Sequence, residues 1–541
     1  MSTPVSIHDG PFTTNTLVSK IFLVFYSIII WCSILPLLLE LYFFWKIIEF
    51  NISLFICLLP IQIYFGYLIL VFTSILIAKL FLITINLIHK PKEGVFKRIN
   101  QDPDYYFWSL RAVIKKWPIW VSKFIPLPFT DKINSRWFEN DSEFIKYGKN
   151  ISIGKGSSVK ASMVFSDFLI IKKVNIGENV IIGSNSFIAP GTQIGKNVII
   201  GTMSATKFSQ TLKSDSIYAG FPIERLKNQD YSTYDSIEKL RETLTSTINF
   251  KDDSCDDVKL NLNRLQGEKF MKNLKYDLLI FGLIYFLSNA IPILGIIYFG
   301  SELFIPFFLQ NPNLFSIFTN VLSLTVFLLT PLILIIFYII NLLGVIFFGK
   351  LFYRIMLYIK PSEEGILDWQ NKDKDFIYYF RRSFLIRYVK WKVQKSPFPW
   401  LIKFAYNNIG NCQIGRNTVI EDSFLAKEFL EVGNNVYLGK VLIATHLWDK
   451  NLSIKKIIIG DNVVIQDNSC IAPGTEIEEN VSLFPLSITV KCEKLIANSF
   501  YLNTPLVKIS NEELINAFNL NLYDINPKKI SLKRDESYYN Y

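Results

Sequence analysis

Residues 175–200 read Asn175-Ile-Gly-Glu-Asn-Val-Ile-Ile-Gly-Ser-Asn-Ser-Phe-Ile-Ala-Pro-Gly-Thr-Gln-Ile-Gly-Lys-Asn-Val-Ile-Ile200. Isoleucine falls at 176, 182, 188, 194 and 200, and glycine follows it at 177, 183, 195 and 201. A six-residue lock matches neither the 3.6-residue period of a helix nor the two-residue period of an ordinary strand. Each hexad supplies one short strand and one turn. The aliphatic side chain points inward, and the small residue beside it lets the chain turn a corner. Stacked coils then bury a continuous apolar column. Gly and Asn in the turns, as in Gly177-Glu-Asn179 and Gly460-Asp-Asn462, tolerate the dihedrals required.

Working outward, Ile153 and Val159 precede this set at the same six-residue spacing. It appears a second time at Ile414, Ile420, Val432 and Leu438, then at Ile459, Ile465, Ile471, Ile477 and Leu483. Between these sets whole blocks recur. Lys172-Lys-Val-Asn-Ile-Gly-Glu-Asn-Val180 matches Lys455-Lys-Ile-Ile-Ile-Gly-Asp-Asn-Val463, and Ile188-Ala-Pro-Gly-Thr192 matches Ile471-Ala-Pro-Gly-Thr475. Pro222 and Pro505 keep the same offset. Upstream, Ala78-Lys-Leu-Phe81 matches Gly349-Lys-Leu-Phe352, Glu93-Gly94 matches Glu364-Gly365, and Pro60 matches Pro331. The pattern is a tandem duplication of one unit.

Composition says what precedes each set of hexads. Half of the 541 residues are hydrophobic, 19% are charged, and mean hydropathy is +0.29. That excludes a disordered chain and points to membrane segments. Residues 21–39, 50–78, 278–301 and 303–349 carry no charge. About 20 apolar residues cross a bilayer, so four spanning helices in two hairpins are expected. The first is no signal peptide, because a second apolar run follows it without a small-residue cleavage site. Lys90, Lys92, Lys97 and Arg98 follow the first hairpin, and Lys269, Lys272, Lys275, Lys350, Arg354 and Lys360 flank the second. The positive-inside rule then makes this a multi-pass membrane protein with cytoplasmic soluble modules. Much of the +11 net charge belongs to this face, and no nucleic-acid motif accompanies it.

The expected layout is an N-terminal tail (1–19), a membrane hairpin (20–89), an elbow (90–146), a β-helix module (147–227) and a linker (228–274). A second hairpin (275–352), elbow (353–408), β-helix module (409–510) and C-terminal tail (511–541) follow. Both elbows are aromatic and basic: Tyr105-Tyr-Phe-Trp108 with Arg111, Lys115 and Lys116, and Tyr378-Tyr-Phe380 with Arg381, Arg382, Arg387 and Lys390. They read as interfacial helices at headgroup level, the rival being aromatic core helices of the soluble modules. Six Cys without a CxxC and three scattered His predict neither a disulfide scaffold nor a metal site. No phosphate-loop motif is present.

The hexads resemble those of the hexapeptide-repeat acyltransferases. The resemblance implies a left-handed parallel β-helix and a thioester donor, coenzyme A or a phosphopantetheine carrier, with no tightly bound cofactor. A narrower set of residues, Thr445-His-Leu-Trp-Asp449, Lys455, Lys456, Phe484-Pro-Leu-Ser487 and Val490-Lys-Cys-Glu493, resembles the membrane-bound C-terminal region of poly-lysine-synthetase-like non-ribosomal peptide synthetases. No adenylation or carrier domain accompanies it here, so a carrier protein or peptide synthetase is an expected partner. The family uses a His general base, which fits His446 in the frame break between Leu438 and Ile459. Asp449 would orient it or bind an acceptor amine, and Lys455 and Lys456 would hold a donor phosphate. Their bland reading is solvated charge at the edge of a coil. At fixed offset the first module carries Met163 in place of His446, which makes that module degenerate. Family sites form at seams between β-helices, so a pseudo-dimer within the chain or a homo-oligomer is expected. The rival is a non-catalytic membrane scaffold that docks a synthetase. An export conduit has little support, because only Glu40 and Lys79 interrupt the first apolar pair.

Overall fold

The structure, a computed structural model, describes residues 20–48, 51–98, 102–123, 138, 141–165, 168–226, 262–367, 374–398, 400–421, 423–448 and 452–509. Among the described residues four helices are long and apolar enough to cross a membrane: Phe22–Ile47, Ile56–Ile88, Tyr276–Leu309 and Val321–Ile359. The last runs seven residues past the expected end of the second hairpin. Helix also occupies Leu262–Phe299, so the expected linker gives way to helix from 262, and 228–261 lie outside the described residues. The two hairpins pack on each other, with Trp31 Nε1 donating to the Leu328 carbonyl at 2.7 Å.

Beyond each hairpin the chain winds into coils of parallel strands two or three residues long. Ile176 pairs in register with Ile194 and Ile194 with Leu212; Ile182 pairs with Ile200 and Ile200 with Tyr218. The spacing is 18 residues, so three hexads make one turn of a three-sided coil. The second module repeats this from Ile459 through Ile477 to Leu495. The inward column Ile414, Ile420, Val432, Leu438, Ile459, Ile465, Ile471, Ile477 and Leu483 is 0–4% exposed and forms one core. Corners are held by stacked amides. Asn150, Asn179, Asn197 and Asp215 bond in a ladder at 2.7–3.1 Å, and Asn435, Asn462, Asn480 and Asn498 do the same at 3.0–3.2 Å. All eight have φ near +55° to +62°, a left-handed corner that Asn and Asp tolerate better than most residues.

One coil in each module is interrupted. Tyr147 pairs with Ile176 and Val432 with Ile459, spacings of 29 and 27 rather than 18. The extra residues leave the coil as antiparallel hairpins, Ser162–Phe165 with Phe168–Ile171 and His446–Trp448 with Leu452–Ile454. A third strand joins each from just after the membrane hairpin, Gly94–Lys97 in one half and Gly365–Leu367 in the other. Glu93 and Glu364 anchor these strands, accepting from the backbone N–H of Lys173 at 2.9 Å and of Lys456 at 3.0 Å.

The elbow helices Pro103–Ile114 and Lys374–Gln394 wedge between membrane helices and coils. Several basic side chains of the elbows do not meet the headgroup expectation: Arg111, Lys116, Arg382 and Lys390 are buried, while Arg387 is exposed. Arg111 bonds Asn86 Oδ1 at 2.9 Å, and Lys390 donates to the Lys427 carbonyl at 3.0 Å.

The two β-helices lie side by side. Phe165 of the first module stacks on Phe500 of the second at 5.8 Å between centroids. Lys160 of the first reaches Glu421 and Asp467 of the second, both at 2.9 Å, and Tyr437 donates to Glu421 at 2.7 Å. Burial works against the charge on Lys160, but Asp467 and Glu421 outweigh it and raise its pKa.

Candidate functional site

His446 opens the second hairpin. Its ladder partner is Ile454, whose other partner is Gly365, so the three share one face of the sheet. That face packs on the elbow helix: Leu452 and Ile454 are buried with Tyr379, whose ring lies 6.4 Å from that of His446. Burial, with the positive charge of Lys427, pushes the imidazole down to about 4. His446 is therefore neutral at neutral pH by a wide margin. It can accept a proton there, but as a weaker base than an ordinary imidazole, whose pKa is near 6.5.

The floor beneath His446 is a fixed polar network. Thr445 Oγ1 donates to the Glu428 carbonyl at 2.8 Å. The Glu428 carboxylate accepts from Tyr353 Oη and from Arg382 Nε, each at 3.0 Å. Arg382 also bonds the Lys360 carbonyl at 3.2 Å. Burial raises the pKa of Glu428 despite these donors. Burial, with Arg387 next, lowers Lys427 to about 8. The candidate base is thus tied through two residues to the end of a membrane helix and to the elbow. Tyr379 and Arg382 stood in the aromatic-basic run that the sequence reading assigned to headgroups. Lys427 and Glu428 had no sequence signal, because neither sits in a motif.

The other expected site residues are placed unevenly. Asp449 lies outside the described residues. Lys455 follows the hairpin's return strand, and its N–H donates to the Thr445 carbonyl at 2.8 Å, beside His446. Its exposed amine contacts Cys492 Sγ at 3.2 Å. Lys456 points to Glu431 at 2.8 Å, so its charge is met by a carboxylate. Lys455 forms no ion pair with a carboxylate among the described residues.

The counterpart of His446 is Ser162 rather than the expected Met163. In the first hairpin Ser162 pairs with Ile171, as His446 pairs with Ile454. Lys172 N–H donates to the Ala161 carbonyl, as Lys455 N–H donates to that of Thr445. The register therefore sets Ser162, not Met163, against His446, because the first hairpin is one residue longer. Ser162 donates to Asp141, which also accepts from Trp108 Nε1 at 2.9 Å. No imidazole occupies this place in the first half. The apolar cluster beside His446, Tyr379, Leu452 and Ile454 with Leu367, Phe376 and Phe429, is drawn from the second half.

Comparison with known proteins agrees with the coil reading. Residues 173–205 match the family described as "Bacterial transferase hexapeptide (six repeats)". The match covers 33 of the 541 residues, and hexapeptide repeats imply a left-handed β-helix. No curated protein sequence matches the chain. Among solved structures, a maltose O-acetyltransferase from Clostridium difficile 630 is 24% identical over 18% of this chain and 58% of its own, with a TM-score of 0.16. The N-acyltransferase AntD from Bacillus cereus, in complex with dTDP-4-amino-4,6-dideoxyglucose and coenzyme A, is 26% identical over 19% of this chain and 60% of its own, with a TM-score of 0.15. A hexapeptide-repeat-containing acetyltransferase from Vibrio cholerae is 18% identical over 16% and 65%, with a TM-score of 0.15. The chain spans about three fifths of the length of the structures it resembles.

Proposed function

We propose that this protein is a membrane-embedded acyltransferase. It moves an acyl or aminoacyl group from a thioester of coenzyme A or of a carrier protein to an amine or hydroxyl at the cytoplasmic face. The observation that carries the reading is a hexapeptide segment of transferase type in a chain whose second half holds a His on a hairpin leaving the coil. In the reaction, neutral His446 takes the proton of the acceptor as its nitrogen or oxygen attacks the thioester carbonyl, and the thiol leaves. A well-placed base contributes roughly 10²–10⁴-fold. Exposed Lys455 attracts the donor's phosphate, and Asp449 orients the base or binds an acceptor amine. The two halves are copies of one unit, of which the first has lost the base. The poly-lysine-synthetase-like residues around His446 favour a peptide synthetase as the source of the thioester.

A second reading rests on one observation: the low pKa of His446 makes it a weak base. In that reading the β-helices are a non-catalytic scaffold that docks a synthetase. The two separate in proteoliposomes supplied with acyl-coenzyme A or a loaded carrier, with products followed by mass spectrometry. The acyltransferase reading expects His446→Ala to lose product by at least about 100-fold. Unchanged product formation would sink it in favour of the scaffold.

A further inference from the structure

The turn Val490-Lys-Cys-Glu493 takes no part in the proposed acyl transfer. It forms an outer corner of the second β-helix. There the Cys492 N–H donates to the Pro473 carbonyl at 3.0 Å, and the Glu493 carboxylate accepts from the Val490 N–H at 2.7 Å. Cys492 is exposed, and the Lys455 amine lies 3.2 Å from its Sγ. Gly474, one coil away, makes this approach possible. A Cβ there would meet Lys455 Cδ at 2.7 Å and Cys492 Sγ at 3.0 Å, so the lysine stem crosses the bare glycine to reach the sulfur.

The first half has the same layout with different chemistry. Lys172 crosses Gly191 in the same way, and the side chain it meets there is Ser209, whose Oγ would lie 2.6 Å from a Cβ on Gly191. A hydroxyl is a far poorer nucleophile toward a thioester than a thiolate. Lys390 also approaches a thiol, Cys412 Sγ at 3.7 Å, but both residues are buried and out of reach of an acyl donor. Among the described residues, Cys492 and Lys455 are the pair of nucleophiles that combines contact with exposure.

We propose that Cys492 and Lys455 form a self-acylation site that takes its acyl group from an acyl thioester of coenzyme A. The Cys492 thiolate attacks the thioester carbonyl, the carbon–sulfur bond to coenzyme A breaks, and coenzyme A leaves as its thiol after taking up a proton. The chain then holds an S-acyl cysteine. The Lys455 amine, having given a proton to solvent, attacks the same carbonyl. The bond to Cys492 breaks, the thiol is regenerated, and an amide remains on Lys455. Nothing is oxidised or reduced. The second step is intramolecular: 3.2 Å from the sulfur, the amine stands beside the carbonyl that the sulfur carries, close to the separation of about 3–3.5 Å from which such attacks proceed. Acylation removes the positive charge that Lys455 offers to a donor's phosphate, so it throttles the proposed acyl transfer when donor is abundant. That consequence alone rests on the proposed function.

The test incubates the full chain in detergent with acetyl-coenzyme A and follows acetyl groups by peptide mass spectrometry. Lys455 should be acetylated at least about 10-fold faster than Lys213, an exposed lysine of the first β-helix. Cys492→Ser, which recreates the serine of the first half, should bring Lys455 down to the Lys213 rate with the melting temperature unchanged. Lys455→Arg should trap the acetyl group on Cys492, from which neutral hydroxylamine releases it. Equal rates at Lys455 and Lys213 in wild type would overturn the proposal. So would a Lys455 rate that Cys492→Ser leaves intact, since the amine would then be acylated without the thiol. The readout is acetyl on the chain itself, so it stands whether or not His446 turns over an acceptor.

Discussion

Facing Lys427 and packed near Tyr379, His446 is held neutral by its surroundings, and this has consequences for pH. Its folded pKa of about 4 lies below the unfolded value near 6.5. Between these values the unfolded chain binds more protons than the folded one, so stability rises with pH through that window. As pH falls from about 6.5 to about 4, this group alone removes up to about 3 kcal/mol, an upper limit for a partly exposed side chain. His446→Gln should flatten that limb in denaturation series recorded between pH 4 and 7. A second outcome follows from the cause of the shift. Lys427→Met removes the nearby cation, so the imidazole pKa should move up toward 6.5. Titration of the C2 proton of His446 by NMR reads this directly. An unmoved midpoint would mean that burial alone sets the value.

At the level of elements, coil stacking and the seam each depend on a few positions. A Cβ on Gly177 would lie 2.4 Å from the Gly195 carbonyl oxygen in the next coil, a backbone atom that cannot rotate away. Gly177→Ala should cost about 1–3 kcal/mol by overpacking, measured by denaturant titration in detergent. Gly282→Ala, with no atom within 4 Å, should cost nothing comparable. At the seam, Lys160→Met strands Glu421 and Asp467 in the interior and should cost about 3–5 kcal/mol. Asp467→Asn should cost less, because Glu421 still pairs Lys160. The coils were legible because an inward aliphatic residue returns every six residues, most often isoleucine and often followed by glycine. The hairpin sheets were not, since Gly365–Leu367 pairs with Leu452–Ile454 more than 80 residues later and three-residue strands carry no period. A one-residue difference in hairpin length likewise misassigned Met163 as the counterpart of His446. Lys116 and Lys390 were misplaced at headgroups because an aromatic-basic helix has one composition whether it faces lipid or a β-helix.

The whole molecule is two units joined at three levels. Between the long apolar helices Trp31 bonds the Leu328 carbonyl at 2.7 Å. At the elbows Tyr26 Oη donates to the Pro397 carbonyl at 2.6 Å, and Trp120 Nε1 to that of Lys395 at 2.7 Å. Between the β-helices lie the Phe165–Phe500 stack and the Lys160 cluster. None of these contacts needs the covalent connection between the halves. Residues 1–227 and 262–541, expressed together as separate chains, should therefore assemble and co-purify through a tag on either one. Expressed alone, the first half uncovers Met163, Phe165 and Ile170 and should aggregate. The seam also sets the strength of reassembly. Phe165→Ala removes a buried ring worth about 3–5 kcal/mol and should cut the recovered complex sharply, whereas Ile366→Ala, on the uncovered sheet, should leave it unchanged. Halves that purify separately despite co-expression would mean that the connection, rather than the seam, holds the two units together.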